Sequence, residues 1–335
     1  MRLRLPNQRE PEVTEPAHEP EPRDPAATAS PHSAGHQLPA STRESRFGPL
    51  FRLARPQQWV KNLLVFAAPG AAGVLFERRV ATASVIAFGS LCLVSSGNYM
   101  LNDVQDAMAD RTHPMKRRRP VAAGAVRSPV AVAVGISVTS GGIALASADG
   151  WKVLTVVAVY VVLAVAYTYR LKQVEVLDIA AVATLFVIRA VAGGAAANVR
   201  LSNWFLVVAS FGSLFVVASK REAEQRSLGV DAGLVRSTLK RYSNSYLGFV
   251  RSMSAATVMV AYSLWAFEKA GLSRSHIPWF ELSIAPFAVA VLRYALLVDS
   301  GLGESPEDFL FRDRTLQVLG VIWIALFVSG TYLAS

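Results

Sequence analysis

The sequence predicts an all-α polytopic membrane protein, a bundle of nine transmembrane helices, and three observations lead there. Hydrophobic residues make up 52% of the 335, mean hydropathy is +0.34, and only 17% of residues are charged, against the ~25% usual in soluble domains. Apolar runs recur near 60–76, 81–101, 129–147, 152–169, 177–197, 203–219, 247–267, 278–298 and 315–333, each close to the ~20 residues that cross a bilayer as a helix. The segments between them are short and carry most of the charge.

Residues 1–46 are rich in Pro, Glu, Arg, Ser and Ala without apolar clustering. Such a segment buries too little surface to offset its ordering entropy, so it reads as a disordered cytosolic tail before a membrane domain over 47–335. Its first residues, Met1-Arg2-Leu3-Arg4-Leu5-Pro6, lack the apolar core of a cleaved signal peptide. The first span, 60–76, is short and interrupted by Pro69-Gly70 and Gly73, which predicts a kinked or partly inserted helix. With the tail inside, loops 102–128, 170–176, 220–251 and 299–314 hold 17 Lys and Arg, against 6 on the other side. The amino terminus is therefore expected in the cytosol and the carboxyl terminus outside, with Arg78-Arg79 as a local exception. The net charge of +10 is accounted for by these loops, which excludes a nucleic-acid-binding role. Cys92, the lone cysteine, sits within an apolar run, which leaves no disulfide framework and no thiolate metal site.

The densest polar sequence follows the second run. Asn102, Asp103, Asp106 and Asp110 place three carboxylates three and four residues apart, on one face of a continued helix. Magnesium takes one or two carboxylates plus phosphate oxygens and water, so this set suits a metal–diphosphate site; zinc is excluded, with His113 the sole nearby imidazole. Four consecutive cations, Lys116 to Arg119, come next. Arg55, Gln58, Lys61 and Asn62 precede the first span, and Tyr167, Tyr169, Arg170 and Lys172 follow the fourth. Asp178 and Arg189 share a face of the fifth span, about 16 Å apart along its axis. An arginine at that depth marks a polar interior by default, while Gly193 and Gly194 beside it serve helix packing. Lys220, Arg221 and Glu224 close the sixth span.

Asn102-Asp103-x-x-Asp106-x-x-x-Asp110, with Tyr167 and Lys172 after the fourth span, resembles the UbiA-type superfamily of intramembrane prenyltransferases, whose nine-helix fold agrees with the count of runs. That superfamily usually has a second aspartate-rich motif after its sixth span; here Lys220-Arg221-x-x-Glu224 stands instead. Together with Arg55-Pro56-x-Gln58-Trp59-Val60-Lys61-Asn62, His113-Pro114-x-Lys116-x-x-Arg119-Pro120, Arg189-Ala190-x-Ala192-Gly193-Gly194 and Trp204-Phe205, this resembles the decaprenyl-phosphate phosphoribosyltransferase branch of the superfamily.

The resemblance implies transfer of 5-phosphoribose from 5-phosphoribosyl 1-diphosphate to a polyprenyl phosphate at the cytosolic face of the cell membrane, with Mg²⁺ and release of diphosphate, in the synthesis of cell-wall arabinan precursors. It assigns Asn102, Asp103, Asp106 and Asp110 to the metal and the three aspartates to catalysis. Substrate contacts fall to Lys61, Asn102, Lys116, Arg119, Tyr167, Lys172, Arg189, Lys220, Arg221 and Glu224, with Arg117 and Arg118 left as topology anchors. Two alternatives stay open: an aromatic prenyltransferase using a prenyl diphosphate, and a transporter of polyprenyl-phosphate sugars that performs no chemistry. The oligomeric state is open too, a homo-oligomer included.

Overall fold

The computed structural model describes residues 48–112, 116–228, 238, 241–273, 275–300 and 312–333. The tail over 1–46 therefore lies outside the described residues. Short helix α1 (Gly48–Ala54) leads into a 3₁₀ segment, Pro56–Phe66, and a five-residue helix α2 (Ala67–Ala71). Then come α3 (Arg78–Gln105), α4 (Ala107–Thr112), α5 (Ser128–Ala148), α6 (Trp151–Tyr169), α7 (Leu177–Ala197), α8 (Asn203–Leu228), α9 (Asn244–Leu272), α10 (Trp279–Asp299) and α11 (Arg314–Tyr332). There is no strand among the described residues. Eight helices, α3 and α5 to α11, are long and apolar enough to cross a membrane.

The first of the nine expected spans is thus no continuous α-helix. It nonetheless lies along residues 88–103 of α3, antiparallel to them: Arg55 meets Asp103, Trp59 donates to Ser96, Asn62 to Ser95 and Cys92, and Phe66 packs on Phe88. Eleven residues at the ~2.0 Å rise of a 3₁₀ helix cover about 22 Å. Residues 88 to 103 of α3 cover about the same length at ~1.5 Å each. The looser rise lets 11 residues, with Pro56 at their start, stay in step with about 16 residues of α3. A consequence for the site is that Lys61 and Asn62 lie inside the 3₁₀ segment packed along α3, within the 60–76 run, and do not precede the span.

Close helix approach in the amino-terminal half depends on small residues. A Cβ on Gly97 of α3 would lie 2.1 Å from the Thr139 hydroxyl and 2.5 Å from the Gly135 carbonyl of α5. The same logic is more extreme at Gly193 of α7, where a Cβ would fall 1.7 Å from the Val65 carbonyl oxygen. That contact seats the 3₁₀ segment against α7 beside a core of Leu91, Val94, Val157, Ile188 and Ala192. Gly193 is a packing residue, as its sequence context suggests. The carboxyl-terminal half has its own core, where Tyr262, Trp265, Phe280, Trp323 and Phe327 of α9, α10 and α11 pack ring against ring.

One end of the bundle collects the polar loops. Lys172 bonds Asp106, Arg241 pairs with Glu175, Arg221 with Asp178, and Arg226 with Asp299. These pairs join the segments after α3, α6, α8 and α10, the four loops in which the sequence concentrates its cations.

Candidate active site

Helix α3 reaches Gln105, and Asp106 occupies its C-cap with ψ near −2°, after which α4 restarts at Ala107. This joint sits in the middle of the acidic motif, and it divides the motif. Arg119 Nη1 stands between Asp103 Oδ1 at 3.3 Å and Asp110 Oδ2 at 2.7 Å, and Arg55 also bonds Asp103. Asp106 instead accepts from Lys172 Nζ and, at 2.9 Å, from Asn102 Nδ2. The single acidic face expected from a continued helix is therefore two adjoining faces. Among the described residues, no three His, Cys, Asp or Glu side chains converge on one point.

Within this group the charges pair: Asp103, Asp106 and Asp110 face Arg55, Arg119 and Lys172. Asp103 is 1% exposed, and its Oδ2 has no hydrogen-bond partner. An orphaned carboxylate oxygen at this depth is costly unless something else binds it. Such an oxygen fits magnesium, which asks for only one or two protein carboxylates and completes its shell with phosphate and water.

Arg55 is absent from the substrate contacts that the resemblance assigns, although it begins one of the motifs. Its left-handed conformation, φ 49°, turns the chain from α1 into the 3₁₀ segment and brings the guanidinium over the Tyr99 ring, 5.3 Å from its centroid, to Asp103. Lys116 is half-buried and Arg117 and Arg118 are exposed, whereas Arg119 turns inward. His113 and Pro114 lie outside the described residues.

A second polar group forms where α7 and α8 begin and end. Arg221, 4% exposed, donates from Nε to Asp178 Oδ2 at 3.3 Å, from Nη1 to Glu224 at 2.8 Å and from Nη2 to Tyr167 at 3.4 Å. Asp178 is fully buried and also accepts from Tyr242. The loop ahead of α7 is strained: Val176 has φ 64°, a region a β-branched residue enters at about 1–3 kcal/mol. Its N–H donates to the Tyr242 hydroxyl at 2.6 Å. Burial, followed by the hydrogen bond to Asp178, pushes the Tyr242 phenol well above the usual tyrosine range. The phenol therefore keeps its proton and remains the donor to Asp178.

Arg189 lies elsewhere. It is 4% exposed and bonds Asn62 Oδ1 at 2.7 Å, Tyr160 at 2.9 Å and the Leu185 carbonyl, with the Tyr160 and Phe186 rings about its guanidinium. Asn62 in turn reaches Ser95 and Cys92, eight and eleven residues below Asp103 on α3, or about 12–16 Å. Lys61 is 5.9 Å from the Phe186 ring, one turn from Arg189. The structure thus brings together Asn102, Asp103, Asp106, Asp110, Arg119 and Lys172 in one group, and Tyr167, Arg221 and Glu224 in a second. Arg189 is separated from both, and Lys220, half-buried, flanks the second.

Residues 63–316 match the model of the UbiA prenyltransferase family. A decaprenyl-phosphate phosphoribosyltransferase of Corynebacterium glutamicum is 41% identical over 290 residues, 85% of this chain and 87% of that one. Another of Mycobacterium tuberculosis is 45% identical over 281 residues, 81% and 90% of the two chains. Among solved structures, a UbiA homolog from Archaeoglobus fulgidus bound to GPP and Mg²⁺ superposes with a TM-score of 0.65 at 17% identity, covering 84% of this chain and 98% of that one.

Proposed function

The chain belongs to the UbiA prenyltransferase family, and from that premise we propose that it transfers 5-phosphoribose from 5-phosphoribosyl 1-diphosphate to decaprenyl phosphate, releasing diphosphate. The names of its 41–45% identical relatives support this reading. Within the molecule, the observation that carries it is the balanced set of three carboxylates and three cations with one orphaned, buried Asp103 oxygen. Such a set takes up a metal and a polyanion together, each sign finding its opposite.

The acceptor needs little activation. A phosphate monoester has a second pKa near 6 and is already largely dianionic at pH 7. His276, the one histidine among the described residues, lies between α9 and α10 and serves no such role. The difficulty is the leaving group, whose charge must be neutralised as the anomeric carbon becomes cationic. Bound at Asp103 with Asp106 or Asp110, magnesium would supply Lewis-acid stabilisation to the departing diphosphate. Arg55, Arg119 and Lys172, released from their carboxylates, bind and orient the phosphates. Arg221, Lys220 and Tyr167 hold the donor's far end, with Glu224 fixing the Arg221 guanidinium. Arg189 and Lys61 act from within the bundle, where they hold the 3₁₀ segment that carries Arg55. The reaction belongs on the cytosolic face of the plasma membrane, where the soluble donor is found, and its product feeds cell-wall arabinan synthesis.

Purified protein incubated with 5-phosphoribosyl 1-diphosphate, Mg²⁺ and a polyprenyl phosphate should yield a phosphoribosylated lipid by mass spectrometry, and none after chelation. A prenylated aromatic product from a prenyl diphosphate, or no new covalent product at all, would overturn the reading.

A further inference from the structure

Tyr242 belongs to none of the motifs, yet it joins three segments of the second polar group. It stands just ahead of α9, 5% exposed, and its hydroxyl accepts from the Val176 N–H at 2.6 Å while donating to Asp178 Oδ1. Its own carbonyl accepts from Gln225 of α8. Because the acceptor side of the phenol is taken by Val176, its single proton is committed to Asp178.

That commitment shapes the neighbouring ion pair. A carboxylate beside a guanidinium forms by preference a two-point fork with parallel N–H···O bonds. Asp178 instead meets Arg221 through Oδ2 and Nε at 3.3 Å, where Oδ2 also accepts from the Thr238 hydroxyl at 3.5 Å, while Oδ1 is held by Tyr242. Arg221 is thereby left with its Nη1 and Nη2 edge on the side of Glu224 and Tyr167. We propose that Tyr242 is a positioning residue for phosphoribosyl transfer: by occupying Asp178 Oδ1 it prevents a closed Asp178–Arg221 fork and keeps the Nη edge of Arg221 presented to the donor's phosphate. The inference rests on the reading above, in which Arg221 binds the donor.

Without the hydroxyl, Asp178 rotates onto Arg221 and withdraws that edge. The strained turn at Val176 supports the point, since a β-branched residue at φ 64° persists where its surroundings hold it, and here its N–H is spent on orienting the phenol. Tyr246 is the natural control, because its ring stacks on Tyr242 at 5.5 Å and 2° but it takes no part in the Asp178 network.

Steady-state kinetics on Tyr242→Phe, Asp178→Asn, Arg221→Ala, Tyr246→Phe and the double variant Tyr242→Phe/Asp178→Asn, with melting temperatures in detergent, test the idea. Expected is a rise of about tenfold in donor KM for Tyr242→Phe, the worth of one hydrogen bond, with acceptor KM and melting temperature held. Once Asp178 can no longer act as a charged fork, the phenol should add nothing, so the double variant should match Asp178→Asn alone. Tyr246→Phe should behave as the wild type. An unchanged donor KM in Tyr242→Phe beside a raised one in Arg221→Ala would overturn the positioning role alone. Equal losses for donor and acceptor with a lowered melting temperature would also overturn it, as a merely structural effect. An Arg221→Ala variant with unaltered donor KM would overturn both this inference and the assignment of Arg221 beneath it.

Discussion

Asp103→Asn keeps the shape of the side chain and removes its charge, so it separates packing from chemistry. Asp103 pairs with Arg55 and Arg119, and Asp106 with Lys172. Neutralising either should lower turnover by about a hundredfold or more, while membrane insertion is retained. Near-wild-type rates for both variants at limiting Mg²⁺ would remove these aspartates from the chemistry. At Arg189 the expectation is of another kind. Its guanidinium spends Nε, Nη1 and Nη2 on three different elements, a geometry that an ammonium does not reproduce. Arg189→Lys should therefore lower the melting temperature and affect both substrates alike, and a selective loss of donor affinity would instead return Arg189 to the phosphate-binding set. The residues of the acidic and basic motifs are legible in the sequence because charge crowded against an apolar run is costly unless a ligand or a counter-charge meets it. Tyr242 is not legible, since its partner Asp178 is 64 positions away and nothing local marks a tyrosine as the one that orients a carboxylate.

Helices supply a second set of expectations. Gly193→Ala sets a methyl group against the Val65 carbonyl, a backbone atom with no rotamer by which to move aside. The cost should be about 1–3 kcal/mol, read as a lowered melting temperature in detergent, with Gly141→Ala, open on all sides, as the neutral comparison. At the start of α11, Asp313 caps the helix through the Leu316 N–H at 2.8 Å and pairs with Arg293 at 2.6 Å. The Arg293 hydrogen bond, then the helix N–H, hold its carboxyl below the ordinary range. A depressed folded-state pKa contributes stability above the unfolded value and loses it as pH falls through the folded one. Asp313→Asn should thus flatten the acid limb of a stability profile below about pH 4. Five of the nine apolar runs form α5, α6, α7, α10 and α11 almost as hydropathy draws them, the runs 81–101 and 247–267 form α3 and α9 with a few residues added at each end, and the run 203–219 forms α8, which continues through the polar residues to Leu228. The first run reads as a helix in the sequence because hydropathy reports length and polarity but not pitch, and a 3₁₀ winding leaves both unchanged.

The ion pairs that gather four loops at one pole make sidedness a property of the whole molecule. Arg117 and Arg200 are both exposed, one in the polar loop after α3 and the other in the turn after α7. Cys92 is buried, so single cysteines at 117 and 200 can be labelled against a silent background. A membrane-impermeant maleimide should modify Arg117→Cys from the cytosolic side and Arg200→Cys from the opposite side, and the reverse pattern would invert the topology. Removing residues 1–40 leaves α1, the 3₁₀ segment and all of the site groups in place, and activity should persist.

The 3₁₀ crossing also bears on which changes of chain length the protein tolerates. With three residues per turn, Trp59, Asn62 and Val65 form a straight row, and that row is the one that bonds Ser96, bonds Cys92 and Ser95, and abuts Gly193. Deleting a single residue there rotates everything beyond it by about 120°, twisting the next row of the segment into the seam. A loop absorbs such a slip by changing its path, but a segment clamped at Asp103 above and Phe88 below has no slack. Natural relatives should then vary freely in the length of the tail and the loops while keeping the interval from Arg55 to Phe66 constant, so that this interval works as a ruler laid against α3.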